Sequence, residues 1–196
     1  MPIDESVKHY FNERYRFHEH IAGNHHQAII GLFCQWWLDE GPKVGYDNPI
    51  LLTGVHAGKE KGKKEGGNVA DNLYAYMKDD KPIVVGLLEV EVGAQASATG
   101  MKARLEKCLR SVVKHKKEYP ELQWAILFSP TWQETYVRPE RRRLENVRQE
   151  EFKVLLDKKS EELKIKIFNC FAQQQNGSGF LRQVKWWPIE TSVHPR

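Results

Sequence analysis

The chain has 196 residues, of which 40% are hydrophobic and 29% are charged, with a formal net charge of +4. This length and composition predict a single domain, residues 1–196, with enough apolar residues for a core, and the mild positive charge permits a polyanionic partner without requiring one. The three cysteines, Cys34, Cys108 and Cys170, are too far apart in sequence to favour a zinc site or a disulfide framework. The apolar runs are too short for a membrane span and the first residues do not resemble a signal peptide, so we expect a cytoplasmic protein.

Residues 1–42 are predicted to form an N-terminal helical segment that Gly41 and Pro42 end. Aromatic residues at near-helical spacing precede a break at Gly23 and Asn24, and a broad apolar stripe follows the break. The second helix is therefore expected to pack against a core. The aromatic side chains of this segment are also candidates for a dimer surface.

The same segment carries a patch of four histidines: His18, His20, His25 and His26. No two of them are four residues apart, so they do not share one helix face in the way that a pair of metal ligands does. We interpret them as surface or interface histidines rather than as a metal site. Glu19 and Glu40 are acids that these helices offer to a site elsewhere in the chain.

A glycine- and lysine-rich loop follows a short strand predicted at residues 49–53. Four lysines are interleaved with glycines in this loop: Lys59, Lys61, Lys63 and Lys64. The loop fits two interpretations, a solvated flexible connection or a basic loop whose glycines let the backbone approach phosphates while the lysines supply charge. It lacks the spacing of a Walker A loop.

Two strands are predicted next, at residues 69–76 and 82–92, joined by a polar turn. The second strand is mostly aliphatic, as a buried strand should be, yet it carries Glu89 and Glu91 on one face. In a hairpin, Asp71 on the first strand lies near the level of these acids. Three converging carboxylates are costly unless a cation such as Mg²⁺ offsets their charge. The alternative, an exposed edge strand with solvated acids, conflicts with the continuous aliphatic run.

An amphipathic helix is predicted from residue 101 to about residue 119. Its apolar stripe should pack on the sheet, while the other faces carry a series of cations that includes Lys102, Arg104 and Lys107. This basic face serves either solubility or contact with phosphates, and the scarcity of acids on the helix favours contact with phosphates. A buried strand at residues 122–128 follows, which predicts a parallel crossover from the hairpin. A charged helix at about 140–163, a strand at 165–171 and a last strand or docked segment at 180–189 complete the prediction.

These elements resemble the core of the PD-(D/E)xK nucleases, the restriction-endonuclease-like fold. The likeness rests on the order helix, strand, hairpin strand, helix, strand, with Asp71 on the first hairpin strand and Glu89, Val90 and Glu91 on the second. The family motif is an aspartate, a spacer and then (D/E)-x-K. Here Ala70 precedes the aspartate where proline is common, and Glu91 replaces the lysine, as in the E-x-E variant of some type II restriction enzymes. The resemblance covers residues 69–128.

The resemblance implies an α/β fold with a central mixed sheet flanked by helices. In this arrangement residues 1–42 are N-terminal helices, residues 43–171 are the α/β core, and residues 172–196 are a C-terminal strand or tail. It also implies a Mg²⁺-dependent DNA endonuclease, with Mn²⁺ as a substitute. Asp71, Glu89 and the carbonyl of Val90 would hold the metal, and Glu91 would orient the attacking water or help to hold a second metal.

The same resemblance implies a double-stranded DNA substrate and a homodimer that cuts both strands. Residues of the basic loop and the basic helix would contact its phosphates: Lys59, Lys61, Lys63, Lys64, Lys102, Arg104 and Lys107. Three alternatives stay open from the residues alone. They are a repair or structure-specific nuclease, a non-catalytic binding protein of this fold, and an α/β enzyme that uses a metal to act on a small phosphorylated substrate.

Overall fold

A computed structural model describes residues 1–10, 26–53, 70–90, 98–129, 153–172 and 186–189. The helices are α1 (Ile3–His9), α2 (His26–Glu40), α3 (Ala98–Glu118) and α4, whose described part is residues 153–163, and a short 3₁₀ turn covers Pro42–Val44. The strands are β1 (Pro49–Leu52), β2 (Asn72–Lys78), β3 (Lys81–Val90), β4 (Trp124–Ser129), β5 (Lys166–Ala172) and β6 (Trp186–Ile189).

The strands form one six-stranded mixed sheet in which spatial order follows chain order. β1, β2 and β3 pair antiparallel, β3, β4 and β5 pair parallel, and β6 pairs antiparallel with β5. Helix α3 provides the crossover that two adjacent parallel strands require. The predicted α/β class, a mixed sheet flanked by helices, is confirmed. β6 comes from the stretch predicted to be a C-terminal strand or tail, and it extends this sheet.

The hairpin of β2 and β3 lies near the centre of the sheet. Lys78 pairs with Lys81 across a two-residue turn, and Asp79 and Asp80 have φ angles of 49° and 58°. Positive φ at both turn residues matches the right-handed twist of hairpin strands, so the predicted polar turn is confirmed. β3 has a neighbouring strand on each side and is buried from Val84 to Val90. The alternative of an exposed edge strand is therefore wrong.

A β-bulge interrupts the pairing of β2 with β3. Tyr74 pairs with Gly86 and the next residue, Ala75, pairs with Val84, so Val85 is the extra residue on β3. A bulge shifts the alternation of side chains between the two faces of a sheet. Beyond Val85, Leu87 contacts the core on one face, and Leu88 contacts the core on the other.

Each face of the sheet is covered by its own hydrophobic core. α1 and α2 cover one face, where an aromatic cluster of Trp36, Trp37, Tyr74 and Trp124 is almost completely buried. Trp37 also ties α2 to the sheet, because its indole Nε1 donates to the carbonyl oxygens of Ile50 and Ala75, each at 3.1 Å. α3 and α4 cover the opposite face with aliphatic side chains.

The N-terminal helices are thus part of the main core. The aromatic residues that the structure describes on them, including Tyr10, Phe33 and Trp36, are at most 1% exposed. These described side chains pack against the sheet, and a dimer surface on the N-terminal segment stays a prediction. The more N-terminal aromatic residues Phe11, Tyr15 and Phe17 lie outside the described residues.

Candidate active site

Asp71 lies beside the peptide bond between Glu89 and Val90, at the end of the hairpin opposite its turn. Asp71 lies in the bend just before β2, one residue short of the strand predicted to carry it. Its Oδ2 accepts a hydrogen bond from the backbone N–H of Val90 at 2.6 Å. Because that nitrogen is bonded to the carbonyl carbon of Glu89, the Asp71 carboxylate lies directly beside the predicted Glu89 and Val90 pair.

Glu89 is buried in the sheet, with 8% of its surface exposed. Its Oε1 accepts a hydrogen bond from the hydroxyl of Ser111, in the middle of α3. A carboxylate in such an apolar layer requires hydrogen-bond donors to replace its lost hydration. Glu89 therefore faces α3, while its neighbours Leu88 and Val90 pack in the aromatic core on the other face.

His115 extends this polar cluster one helical turn further along α3. Its Nδ1 lies 2.9 Å from the carbonyl oxygen of Ser111 and 3.3 Å from the Ser111 hydroxyl. The His115 side chain is completely buried, and its ring stacks on Tyr119 with a centroid distance of 6.4 Å. Sequence reasoning missed Ser111 and His115. The available signal was their spacing, since they are two polar residues four apart on the apolar stripe of α3.

His26, at the first position of α2, reaches the site from the other side of the sheet. Its Nε2 lies 3.1 Å from Oδ1 of Asp71, and the two side chains are 34% and 21% exposed. One member of the histidine patch, His26, is thus a partly exposed residue that contacts Asp71. The other three, His18, His20 and His25, lie outside the described residues.

Glu40 lies at the opposite end of α2 from His26. The helix has 15 residues, so at a rise of about 1.5 Å per residue its two ends are about 20 Å apart. Glu40 is buried and pairs with Lys43 at 2.7 Å. It is therefore too far from Asp71 to join the same cation. Glu19, the other acid considered, lies outside the described residues.

Several predicted site residues cannot be placed. Glu91 and the basic loop with Lys59, Lys61, Lys63 and Lys64 lie outside the described residues. Lys102 and Arg104 are in α3, but only their backbone is described, whereas the Lys107 side chain is exposed on the same helix. Within the described ranges, no three His, Cys, Asp or Glu side chains come together as a group that could hold a metal ion.

Cys34 and Asn72 join α2 to the start of β2, directly after Asp71. The Asn72 side chain is completely buried, and its Nδ2 donates to Sγ of Cys34 at 3.4 Å. Burial raises the pKa of the Cys34 thiol. Since nucleophilic and metal-bound cysteines are thiolates, this direction argues against such chemistry at Cys34.

No protein-family model, curated protein or solved structure matches this chain. Among the helices that the structure describes, none combines the length and apolar character needed to cross a membrane.

Proposed function

We propose that this protein is a metal-dependent endonuclease that hydrolyses phosphodiester bonds in double-stranded DNA. The observation that carries the proposal is the position of Asp71, whose carboxylate accepts a hydrogen bond from the Val90 amide directly after the buried acid Glu89. A buried acid is costly to the fold unless a partner offsets its charge, and such acids concentrate at functional sites.

The order of the elements supports the same proposal. α2, β1, β2, β3, α3 and β4 follow one another as helix, three antiparallel strands, crossover helix and parallel strand. Apart from β1, which precedes the hairpin, this is the order of helix, strand, hairpin strand, helix and strand on which the resemblance to the PD-(D/E)xK nucleases rests. Asp71 just before the second strand and Glu89 near the end of the third match the positions of the family's motif acids.

The donor atoms at the site suit a Mg²⁺ ion. Mg²⁺ is usually held by one or two carboxylates, with water and substrate phosphate completing its octahedral shell, so a group of three protein ligands is not required. Asp71, Glu89 and the carbonyl oxygen of Val90 would supply hard oxygen ligands. A bound ion would lower the pKa of a water molecule and stabilise charge on the leaving oxygen.

Other residues have supporting roles in this proposal. His26 of α2 contacts Asp71, with its Nε2 3.1 Å from Oδ1 of the carboxylate. Mn²⁺ takes the same carboxylate, carbonyl and water ligands as Mg²⁺, so it is the natural substitute. Glu91, next along the chain from Val90, would orient the attacking water. The basic loop and the N-terminal part of α3 would contact DNA phosphates, and a homodimer would place two sites on the two strands.

A non-catalytic binding protein is the second candidate, and one observation favours it. Both oxygens of Asp71 and one oxygen of Glu89 already have partners within the protein. Acids that serve only to join α2, β3 and α3 would have such partners. The two candidates differ in whether a divalent cation binds and whether DNA is cut.

We expect the purified protein to nick or linearise plasmid DNA in Mg²⁺ or Mn²⁺ and to stop when EDTA is added, because the acids cannot activate water without a metal. The measurement is gel electrophoresis of duplex, single-stranded and branched DNA. Discrete fragments would identify a restriction-type enzyme, and a smear of fragments would identify a non-specific nuclease. A preference for branched DNA would identify a structure-specific nuclease. Intact DNA in both metals on all three substrates would overturn the nuclease proposal in favour of the binding protein.

The basic loop is expected to contribute most of the salt dependence of DNA binding. Replacing Lys59, Lys61, Lys63 and Lys64 with Gln should weaken binding and flatten the plot of log affinity against log salt. Each lost phosphate contact reduces the slope by about 0.9. The measurement is fluorescence anisotropy of labelled duplex at several salt concentrations.

A four-lysine variant elsewhere on the surface is the matched control for the loop. It changes exposed lysines outside the candidate DNA-contacting elements: Lys78, Lys81, Lys158 and Lys164. The control removes the same total charge but should keep the slope close to that of the wild type. Equal slopes for the wild type and the loop variant would show that the loop does not contact phosphates.

A further inference from the structure

A buried chain of three polar side chains connects α3 to the candidate metal ligand Glu89. The Ser111 hydroxyl contacts Oε1 of Glu89, and His115 Nδ1 lies within 3.3 Å of that hydroxyl. Their exposed fractions are 8% for Glu89, 3% for Ser111 and 0% for His115. The surrounding stripe of α3 is otherwise apolar, with Cys108 and Val112 packed against the sheet.

The direction of the protons in this chain follows from its contacts. His115 Nδ1 is 2.9 Å from the carbonyl oxygen of Ser111. A carbonyl oxygen only accepts, so Nδ1 must carry the proton, a tautomer assigned here from the hydrogen-bond network. That proton is directed mainly at the carbonyl oxygen, and the Ser111 hydroxyl, 3.3 Å from Nδ1, is a weaker second acceptor. The Ser111 hydroxyl is thereby left to donate its own proton to the Glu89 carboxylate.

We propose that Ser111 and His115 are positioning residues that fix the orientation of the Glu89 carboxylate for metal binding. This inference rests on the proposed function, since it assigns Glu89 as a metal ligand. Donation from Ser111 holds one carboxylate oxygen on the α3 side and so restricts rotation of the group. His115 in turn restricts the Ser111 hydroxyl. Outer partners of this kind typically change metal affinity by 10–100-fold when they are removed.

The same three residue types occur in hydrolase triads, but the order of contacts here is different. In a triad the acid contacts the histidine, and the histidine accepts the proton of the serine. Here the acid contacts Ser111 directly, and His115 Nδ1 donates. The serine is also buried away from any substrate. The arrangement therefore suits orientation of Glu89 and does not suit nucleophilic attack by Ser111.

The test is a Mn²⁺ titration of the full chain, monitored by electron paramagnetic resonance of the free ion, with plasmid cleavage measured in parallel. Ser111→Ala should weaken Mn²⁺ binding by about 10–100-fold. Ser160→Ala is the matched control, because Ser160 is also a buried helical serine on the same face of the sheet. In the described part of the chain its hydroxyl makes no hydrogen bond, so its loss should leave Mn²⁺ affinity unchanged.

Conservative variants separate positioning from a general loss of stability. Ser111→Thr retains the hydroxyl and should recover most of the Mn²⁺ affinity. His115→Asn retains an N–H donor close to the position of Nδ1 and should bind Mn²⁺ more tightly than His115→Leu. Thermal unfolding measured on all variants identifies those that fold. If Ser111→Ala does not fold, the Mn²⁺ affinities of the two His115 variants are compared instead.

The outcomes distinguish this inference from the proposed function. If the wild type neither binds Mn²⁺ nor cuts DNA, the proposed function and the inference both fail. If the wild type does both and folded Ser111→Ala binds Mn²⁺ as tightly as Ser160→Ala, only the inference fails. Equal Mn²⁺ affinity for His115→Asn and His115→Leu would remove His115 from the positioning role. Loss of Mn²⁺ affinity in Ser111→Ala but not in Ser160→Ala, with recovery in Ser111→Thr, would support the inference.

Discussion

Glu89→Gln is expected to lower the rate of DNA cleavage by about 10³-fold or more while the protein stays folded. Gln has nearly the same size as Glu and keeps an oxygen that can accept the Ser111 hydrogen bond. What it loses is the negative charge that would hold the cation, and a metal-dependent reaction cannot proceed without that ion. A loss of 10³-fold corresponds to about 4 kcal/mol at the barrier. The measurement is the single-turnover cleavage rate in saturating Mg²⁺.

Glu40→Gln is the matched control for Glu89→Gln. Glu40 is also buried, with 3% of its surface exposed, but it pairs with Lys43 at the far end of α2. Its replacement should lower the free energy of unfolding by about 1 kcal/mol, because its partner is largely solvated, and leave cleavage unchanged. A Glu89→Gln variant that cuts DNA at the wild-type rate would show that the metal is bound elsewhere.

Gly86→Ala is expected to lower the free energy of unfolding by about 3 kcal/mol. A Cβ added at Gly86 would lie 2.1 Å from Cζ2 of Trp124. The Trp124 ring cannot move aside easily, because it packs edge-on against Trp36 and stacks on Tyr74 with centroid distances of 5.7 and 5.2 Å. Since domains of this size shift by roughly 2–4 °C per kcal/mol, the midpoint of thermal unfolding should fall by roughly 10 °C.

The reverse effect is expected for Gly31→Ala. Gly31 is an exposed residue of α2, and a Cβ there meets no atom within 4 Å. Alanine restricts the unfolded chain and favours the helix, so the free energy of unfolding should rise by about 0.5–1 kcal/mol. Calorimetry or urea unfolding of Gly86→Ala and Gly31→Ala measures the difference in their free energies of unfolding. A Gly86→Ala variant as stable as the wild type would mean that Trp124 and its neighbours are loosely packed.

Elements with strong local patterns were predicted well from the sequence. The hairpin turn at residues 78–81, the aliphatic strand that follows it and the amphipathic helix α3 all lie where periodicity and turn residues place them. Such signals come from neighbours along the chain, so they can be recognised without tertiary information. The acids Asp71 and Glu89 were found for the same reason, because carboxylates beside a continuous aliphatic run are locally anomalous.

The partners of these acids could not be predicted in the same way. His26 is 45 positions before Asp71, and Ser111 is 22 positions after Glu89. Their contacts depend on how α2 and α3 pack on opposite faces of the sheet. A histidine in a histidine-rich patch carries no local mark of a partner, and the spacing of Ser111 and His115 on the apolar stripe marks a polar pair without identifying Glu89 as its partner. Only the packed structure shows His26 with Asp71 and the Ser111 and His115 pair with Glu89.

The sequence by itself determined the local features of the hairpin. These are a buried strand, a two-residue turn, and the acids Asp71 and Glu89. Tertiary structure alone decided where Glu89 points. Strand residues alternate between faces, so Glu89 would lie on the aromatic α2 side if β3 paired regularly. The bulge at Val85, where Gly86 fits beneath the Trp124 ring, shifts this alternation and directs Glu89 toward Ser111 on α3. That choice depends on packing between distant residues, which no local pattern encodes.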